Sequence, residues 1–169
     1  KSLLQLARLD VGAVKFEMKS NDINKTVTES IESLKIKSEN ANVEVEFYPE
    51  ENEIMVNHDP NWINEAIINI IKNAIEHTKP GGKVQIFTEK SQVCSRIIVK
   101  DNGEGIHREE IKHIFERFYK GRTNRNEESI GIGLALSKSI IEGNKGMINV
   151  KSKMGKGTTF EVIFLNRFI

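Results

Sequence analysis

The spacing of apolar positions predicts a chain that mixes helices with strands. In several segments apolar residues recur every three or four positions, as on the buried face of an amphipathic helix. In the strongest segment Asp59 can cap the helix, Pro60 suits its first position, and Pro80 followed by two glycines ends it. The predicted helices are residues 3–11, 23–34 (capped by Asn21 or Asp22), 59–78, 108–115 and 134–142.

Other segments alternate apolar and polar residues, the pattern of a strand with one buried face. The predicted strands are residues 14–18, 43–47, 54–56, 83–89, 93–100, 147–151 and 158–165. Several neighbouring strands lie close enough in sequence to form hairpins, and the chain has no regular strand–helix–strand rhythm. The pattern therefore predicts an α+β fold, a two-layer sandwich in which a mixed, mostly antiparallel sheet is covered by helices on one face.

Charge and composition narrow the classes of function. The 25 basic and 24 acidic residues are interspersed and leave a net charge of +1, which gives no electrostatic reason to expect nucleic acid as a partner. The single cysteine, Cys94, fits a reducing compartment. No apolar run approaches the roughly 20 residues that span a bilayer, so we expect a cytoplasmic domain without direct membrane contact. Because the chain begins at Lys1, we expect it to belong to a longer protein, in which membrane segments could lie upstream.

A polar stripe on the 59–78 helix is a candidate metal site. Glu65, Asn69, Asn73 and Glu76 are spaced by four, four and three residues and share one helix face. Their oxygens are the hard donors that Mg²⁺ takes, usually one or two from protein, with water and phosphate completing the shell. The alternative is a solvated helix face, although two asparagines in the middle of a helix call for a reason because asparagine is only a moderate helix former.

Two glycine-containing segments are candidate ligand sites. Asp101, followed by Gly103 and Gly105, leaves an apolar strand, which places a carboxylate at a pocket wall where it can accept from the exocyclic amine of adenine. Gly131 and Gly133 precede a helix, whose free N–H groups attract phosphate. The alternatives are an Asn-Gly turn at the first segment and a flexible hinge at the second. Neither segment completes a P-loop or a dinucleotide fingerprint.

Two further segments flank these. Phe115 and Phe118 precede a polar loop, residues 121–129, that lacks apolar periodicity, and Arg117 and Lys120 could reach phosphates if that loop closes. A core aromatic pair beside solvated bases is the alternative. The Gly-Lys-Gly-Thr run ending at Thr158 suits a hairpin turn that leads into a strand.

The order of these segments resembles a known family. An Asn-x-x-x-Asn helix, Asp-x-Gly-x-Gly, Phe-x-x-Phe, Gly-x-Gly-Leu and Gly-x-Gly-Thr follow one another like the N, G1, F, G2 and G3 boxes of sensor histidine kinases. Residues 1–12 resemble the end of the second helix of the dimerisation and histidine-phosphotransfer domain, and residues 13–169 the catalytic ATP-binding domain. The resemblance implies a Bergerat-type fold that binds ATP and Mg²⁺ under a lid at about residues 119–130.

Carried over by position, the resemblance assigns roles to individual residues. Asn73 would coordinate Mg²⁺ and, with Arg117, serve catalysis. Asp101 would accept from the adenine amine. The other implied nucleotide contacts are Asn69, Gly103, Gly105, Ile106, Tyr119, Lys120, Gly131, Gly133, Leu134 and Thr158.

The chain also departs from the family pattern. Glu76 and His77 stand where many members have lysine and an aromatic residue. None of the four histidines is directly followed by an acid on a bundle-like helix, which is the usual arrangement of the phosphate acceptor. We therefore expect the acceptor histidine on a dimerisation domain outside this chain, and a response regulator beyond it. The alternatives are an ATPase of the gyrase, MutL or heat-shock chaperone type, an anti-sigma-factor serine kinase, or a non-catalytic docking module.

Overall fold

The computed structural model describes residues 1–122 and 130–166. The helices are α1 (Ser2–Asp10), α2 (Ile23–Ser33), α3 (Lys35–Ala41), α4 (Pro60–Glu76) and α5 (Gly133–Gly143). The strands are β1 (Lys19–Asp22), β2 (Glu44–Tyr48), β3 (Met55–His58), β4 (Lys83–Lys90), β5 (Cys94–Asp101), β6 (Gly146–Lys153) and β7 (Gly157–Leu165). Among the described helices, none combines the length and apolar character needed to cross a bilayer.

The main sheet has five strands in the order β2-β4-β5-β7-β6. Strands β2 and β4 run parallel, and the other neighbours are antiparallel, so the sheet is mixed. Val84, Ile86, Ile97, Val99, Phe160 and Val162 on its inner face are at most 2% exposed. A separate two-stranded sheet pairs β1 with β3. The predicted α+β sandwich is confirmed.

Helix α4 lies at the centre of the helical layer because its apolar face is continuous. Ile63, Ile67, Ile70 and Ile71 are fully buried. The Asp59 carboxylate caps the helix by accepting from the N–H groups of residues 61 and 62, as the sequence predicts. Helix α5 packs beside α4, where the Ser137 hydroxyl donates to a carbonyl oxygen of α4.

The N-terminal helix is attached to this layer. Leu6 of α1 is 1% exposed and belongs to the main core, and α1 packs against α5. At its end, the Asp10 carboxylate pairs with Arg117. Helix α2 begins at the predicted cap, Asp22, whose side chain accepts from Asn24 N–H at 3.1 Å.

Two predictions of local structure are wrong, and one helix is missing from the prediction. Residues 14, 16 and 18 are half-buried and alternate with exposed residues as expected, but they form no strand, because the Phe16 ring packs edge-on against Trp62 rather than on a sheet. The 108–115 segment contains only a 3-10 turn at Ile111–His113, since so short a segment gains too few helical hydrogen bonds. Helix α3, past Leu34, was not predicted.

Candidate functional site

A cavity of about 470 Å³ opens between α4, the start of α5, the end of β5 and the start of β7. Its volume lies within the range typical of small-molecule sites. The lining residues include Asn69, Asn73, Glu76, Asp101, Gly105, Ile106, Glu110, Tyr119, Gly131, Gly133, Leu134 and Thr158. The first three residues of the chain also reach the cavity, through the N-terminal end of α1.

Asp101 is the buried acid of this cavity. It ends β5, is 4% exposed, and its Oδ1 accepts from the N–H of Gly103 at 2.9 Å and of Thr158 at 3.2 Å. Within the described part of the chain, no hydrogen bond reaches its other carboxylate oxygen, Oδ2. Burial raises the pKa of Asp101, and the two N–H groups oppose that rise. The backbone therefore fixes the orientation of this carboxylate.

The loop after β5 is held against the β6–β7 turn. Ile106 N–H donates to Ser152 Oγ at 2.8 Å, and the Ser152 hydroxyl also lies 2.8 Å from Thr158 Oγ1. Gly105 has a φ of 79°, and a Cβ there would collide with the carbonyl oxygen of residue 153. We call Asp101, Gly105, Ile106 and Thr158 the sheet wall, and its backbone is tightly held.

The opposite side, formed by Asn69, Asn73, Glu76 and Gly133, is the helix wall. The Nδ2 atom of Asn69 is buried and finds no hydrogen-bond partner among the described residues. Glu76 Oε1 is also without a hydrogen bond there, although Lys37 Nζ lies 3.2 Å away at ion-pair distance. Gly133 begins α5 next to the Asn69 amide. This wall presents unused polar atoms and a helix N-terminus to the cavity.

A third group of residues closes the cavity from the side. Phe118 N–H donates to the Gly131 carbonyl at 2.9 Å, which brings the chain before residue 119 next to the chain after residue 130. The buried Glu110 carboxylate accepts from the Tyr119 hydroxyl and from Arg122 N–H. Glu110, Tyr119 and Gly131 all line the cavity.

The sequence of residues 58–167 matches the family model described as histidine kinase-, DNA gyrase B- and HSP90-like ATPase. The chain belongs to this family. The match covers every lining residue of the cavity apart from those at the N-terminal end of α1, and it includes both Asp101 and Asn69.

Relatives place the domain among the sensor kinases. Over 105 residues it is 38% identical to the sensor protein SrrB of Staphylococcus aureus, covering 61% of this chain and 18% of SrrB. The chain therefore corresponds to less than a fifth of that relative. The solved catalytic domain of the histidine kinase ThkA is 25% identical, covers 89% of this chain and 96% of its own, and superposes with a TM-score of 0.78.

A third relative is full-length ShkA, solved in complex with AMPPNP. It is 21% identical, covers 96% of this chain and 34% of its own, and has a TM-score of 0.84. ThkA has also been solved in complex with the response regulator TrrA. This domain is the ATP-binding catalytic domain of a sensor histidine kinase.

Most residues that the sequence singled out lie around the histidine-kinase-like cavity. Gly103 does not line it, and instead donates its N–H to Asp101. Arg117 lies outside the lining too, with its guanidinium on Asp10. Lys120 is exposed and is not a lining residue. Of the predicted lid, residues 123–129 lie outside the described part of the chain.

Sequence reasoning missed several lining residues. Glu110, Ile114, Ile132 and Phe160 all face the cavity. Ile132 lies between Gly131 and Gly133 and is only 3% exposed. The apolar residues that follow it in the sequence could have indicated that it is buried. Glu110 gave no such signal, because its partners lie nine and twelve residues later.

The donor set on α4 fits Mg²⁺. The described residues contain no group of three His, Cys, Asp or Glu side chains that could hold a metal by itself. Asn73 offers a hard oxygen donor at the cavity, which matches an ion that completes its shell with phosphate and water. The buried Asn69 Nδ2 is a donor and fits a phosphate oxygen rather than the metal.

Proposed function

We propose that this domain binds Mg²⁺-ATP in the cavity and supplies the γ-phosphate to a histidine on a dimerisation domain outside the chain. The observation that carries the proposal is Asp101, whose Oδ1 is fixed by two backbone N–H groups at the cavity wall. An acceptor held in this way selects for a ligand edge that carries a hydrogen-bond donor.

The sheet wall would bind the base. The adenine amine donates, and the Asp101 Oδ2 atom would accept from it. Guanine carries a carbonyl at that position and would face the carboxylate with a second acceptor. Because a site built to pair with a donor strongly rejects a ligand that lacks it, the sheet wall would distinguish ATP from GTP.

The helix wall would bind the phosphates. Free N–H groups at the start of α5 and the buried Asn69 Nδ2 are donors for phosphate oxygens. Asn73 would hold Mg²⁺, which neutralises phosphate charge when bound. The remaining work of the domain is to position the terminal phosphate, which suits a reaction that depends on orientation and charge stabilisation. The ShkA complex with AMPPNP, an ATP analogue, supports a nucleotide in this fold.

The acceptor histidine would come from outside the chain. His58 is fully buried, its Nε2 lies 2.9 Å from Thr26 Oγ1 and its Nδ1 2.9 Å from the Val56 carbonyl, so it serves the core. Helix α1 contains no histidine, and we propose that residues 1–12 continue a dimerisation helix. Arg117 remains a proposed catalytic residue, and its guanidinium would have to leave the Asp10 carboxylate in order to bind phosphate.

The further partners follow from the same proposal. The phosphorylated histidine would pass its phosphate to a response regulator, as the ThkA complex with TrrA suggests. The longer protein would be anchored in the bacterial cell membrane with this domain on the cytoplasmic side.

Calorimetric titration with ATP and with GTP, each with Mg²⁺, tests the nucleotide site. We expect binding of ATP alone, and loss of that binding in Asp101→Ala. A supplied dimerisation domain then tests transfer, which should label a histidine. Release of inorganic phosphate without labelling would favour the ATPase alternative, and absence of ATP binding would favour the docking module.

A further inference from the structure

Glu110 is a buried carboxylate whose two side-chain hydrogen bonds within the described part of the chain lead to one short segment. It is 6% exposed and lines the cavity. Its Oε1 accepts from the Tyr119 hydroxyl at 3.1 Å and from the Arg122 backbone N–H at 2.9 Å. We call residues 119–122 the strap. The carboxylate therefore spans the strap from its first residue to its last.

A carboxylate in this place needs compensation. Removing it from water costs free energy unless donors replace the lost hydration, and it stands in a cavity proposed to hold a polyphosphate. The Arg122 N–H, and after it the Tyr119 hydroxyl, hold the pKa of Glu110 below its ordinary value. Glu110 is thus a charged acceptor at neutral pH, and a poor base for removing a proton.

Two further features of the strap involve the acids before it, Glu109 and Glu110. The Arg122 side chain pairs with Glu109 at 3.0 Å, but about two thirds of each side chain is exposed, and exposed ion pairs contribute little. Gly121 passes over the carboxylate, where a Cβ would lie 3.6 Å from Glu110 Oε1. Tyr119 and Gly121 themselves line the cavity.

We infer that Glu110 is a positioning residue for nucleotide binding, which holds the strap in the place where Tyr119 and Gly121 form one side of the ATP cavity. The inference rests on the proposed function, since it takes ATP as the occupant. It predicts that the carboxylate acts on the affinity for Mg²⁺-ATP through the strap and leaves the chemical step unchanged.

The experiment compares Glu110→Ala with Glu109→Ala, the adjacent acid whose contact to the strap is the exposed ion pair. We expect Glu110→Ala to raise the Kd for Mg²⁺-ATP about tenfold, as for loss of a charge-assisted hydrogen bond, and Glu109→Ala to leave it unchanged. Glu110→Gln keeps an accepting oxygen and should fall between wild type and Glu110→Ala. Phosphotransfer at saturating ATP should stay within about twofold of wild type in all three variants.

Tyr119→Phe keeps the inference testable if Glu110→Ala fails to fold. It removes only the hydroxyl and should raise the Kd about threefold. In the double variant with Glu110→Gln, the rise in Kd should be smaller than the two single effects combined, because both substitutions act on the same contact. Full additivity would contradict the shared contact.

Hydrogen exchange of the Arg122 amide without nucleotide separates this inference from the proposed function. We expect protection in wild type and Glu109→Ala, and loss of protection in Glu110→Ala. Equal protection in all three, or an unchanged Kd in Glu110→Ala, would overturn the positioning role. Failure of wild type to bind ATP would overturn the proposed function, while the exchange data would still report the contact.

Discussion

The two walls of the cavity differ in how much of their hydrogen bonding is completed by the protein itself. In the sheet wall, Asp101 Oδ1 takes two backbone N–H groups, and Ile106 and Thr158 both contact the Ser152 hydroxyl. In the helix wall, Asn69 Nδ2 is buried without a partner among the described residues. The sheet wall is thus held in place by its own hydrogen bonds and, among the described residues, leaves Asp101 Oδ2 without one. The helix wall has a buried amide donor without a partner there.

This difference matches two kinds of ligand chemistry. A flat base is bound by shape and by a few fixed polar groups, so a rigid wall loses little on binding. Phosphates carry charge and bring a metal with them, so the wall facing them needs donors and oxygen ligands that are not already used. The sheet wall should therefore tolerate few changes of structure, and the helix wall should tolerate them while losing binding.

The largest effect is expected from a methyl group packed against the backbone of the sheet wall. Gly157 has a φ of 119°, and a Cβ there would collide with the carbonyl oxygen of Asp101. We expect Gly157→Ala to lower the free energy of unfolding by about 3 kcal/mol, since both strain and overpacking act at this position. Urea denaturation gives the value.

Gly133→Ala in the helix wall is the matched control. Its added Cβ would lie 3.9 Å from the nearest atom, the Cγ of Asn69, and its φ is not positive. Its free energy of unfolding should change by less than about 1 kcal/mol. Equal losses in the two variants would remove the contrast between the walls.

The second prediction separates binding from stability at Asp101. Asp101→Asn keeps an oxygen for the N–H groups of Gly103 and Thr158 but turns an amide donor toward the cavity. The side-chain amide of the introduced asparagine and the adenine amine would then face each other, and because both are donors they could not form a hydrogen bond. We expect the Kd for ATP to rise about 100-fold or more, measured by calorimetry.

The fold of the same variant should become more stable at neutral pH. Burial raises the pKa of Asp101 above its ordinary value of 3.8, so the ionised carboxylate destabilises the folded state at every pH above its folded-state pKa. The penalty shrinks as pH falls through that pKa toward 3.8. Denaturation of Asp101→Asn and wild type should thus differ at pH 7 and converge in acid, and a constant difference would contradict the assigned cause.

Sequence reasoning succeeded where the signals are local. The start of α4 is set by Asp59 and Pro60, adjacent residues whose effects do not depend on the rest of the fold. The order of the glycine and asparagine segments also predicted which parts of the chain line the cavity. The asparagines share one face of α4, and the glycines lie where a strand ends or a helix begins.

Sequence reasoning failed where a contact depends on residues that are distant along the chain. The alternation at residues 14–18 gave the correct burial but could not show that no strand pairs with it. Glu110 resembles any polar residue in a turn until the chain folds back at Tyr119 and Arg122. Whether the predicted residues bind nucleotide stays a prediction, since position in the lining does not establish contact with a ligand.

The third prediction tests the helix wall. Asn73→Ala should leave unfolding cooperative, because alanine favours a helix and Asn73 is only half-buried. We expect Mg²⁺ to lose its effect on ATP affinity, a loss of about tenfold, and phosphotransfer to a supplied dimerisation domain to disappear. Asn61→Ala on the exposed start of the same helix is the control. Transfer at the wild-type rate in Asn73→Ala would show that the metal is held elsewhere.

The smallest effect is expected at Glu76, which places a negative charge in the wall proposed to face phosphate. Its side chain is 24% exposed and pairs with Lys37, itself 38% exposed, so neutralising it should cost the fold less than about 1 kcal/mol. Glu76→Gln removes a negative charge from the cavity lining and should strengthen the binding of ATP without Mg²⁺ about three- to fivefold. With Mg²⁺ the gain in affinity should be smaller, because the charge of the ion already offsets that of the carboxylate.

Glu65→Gln is the control, because Glu65 lies on the same stripe but outside the cavity lining. It should leave the affinity for ATP unchanged both with and without Mg²⁺. An equal gain in this variant would mean that the net charge of the protein, rather than the helix wall, sets the effect.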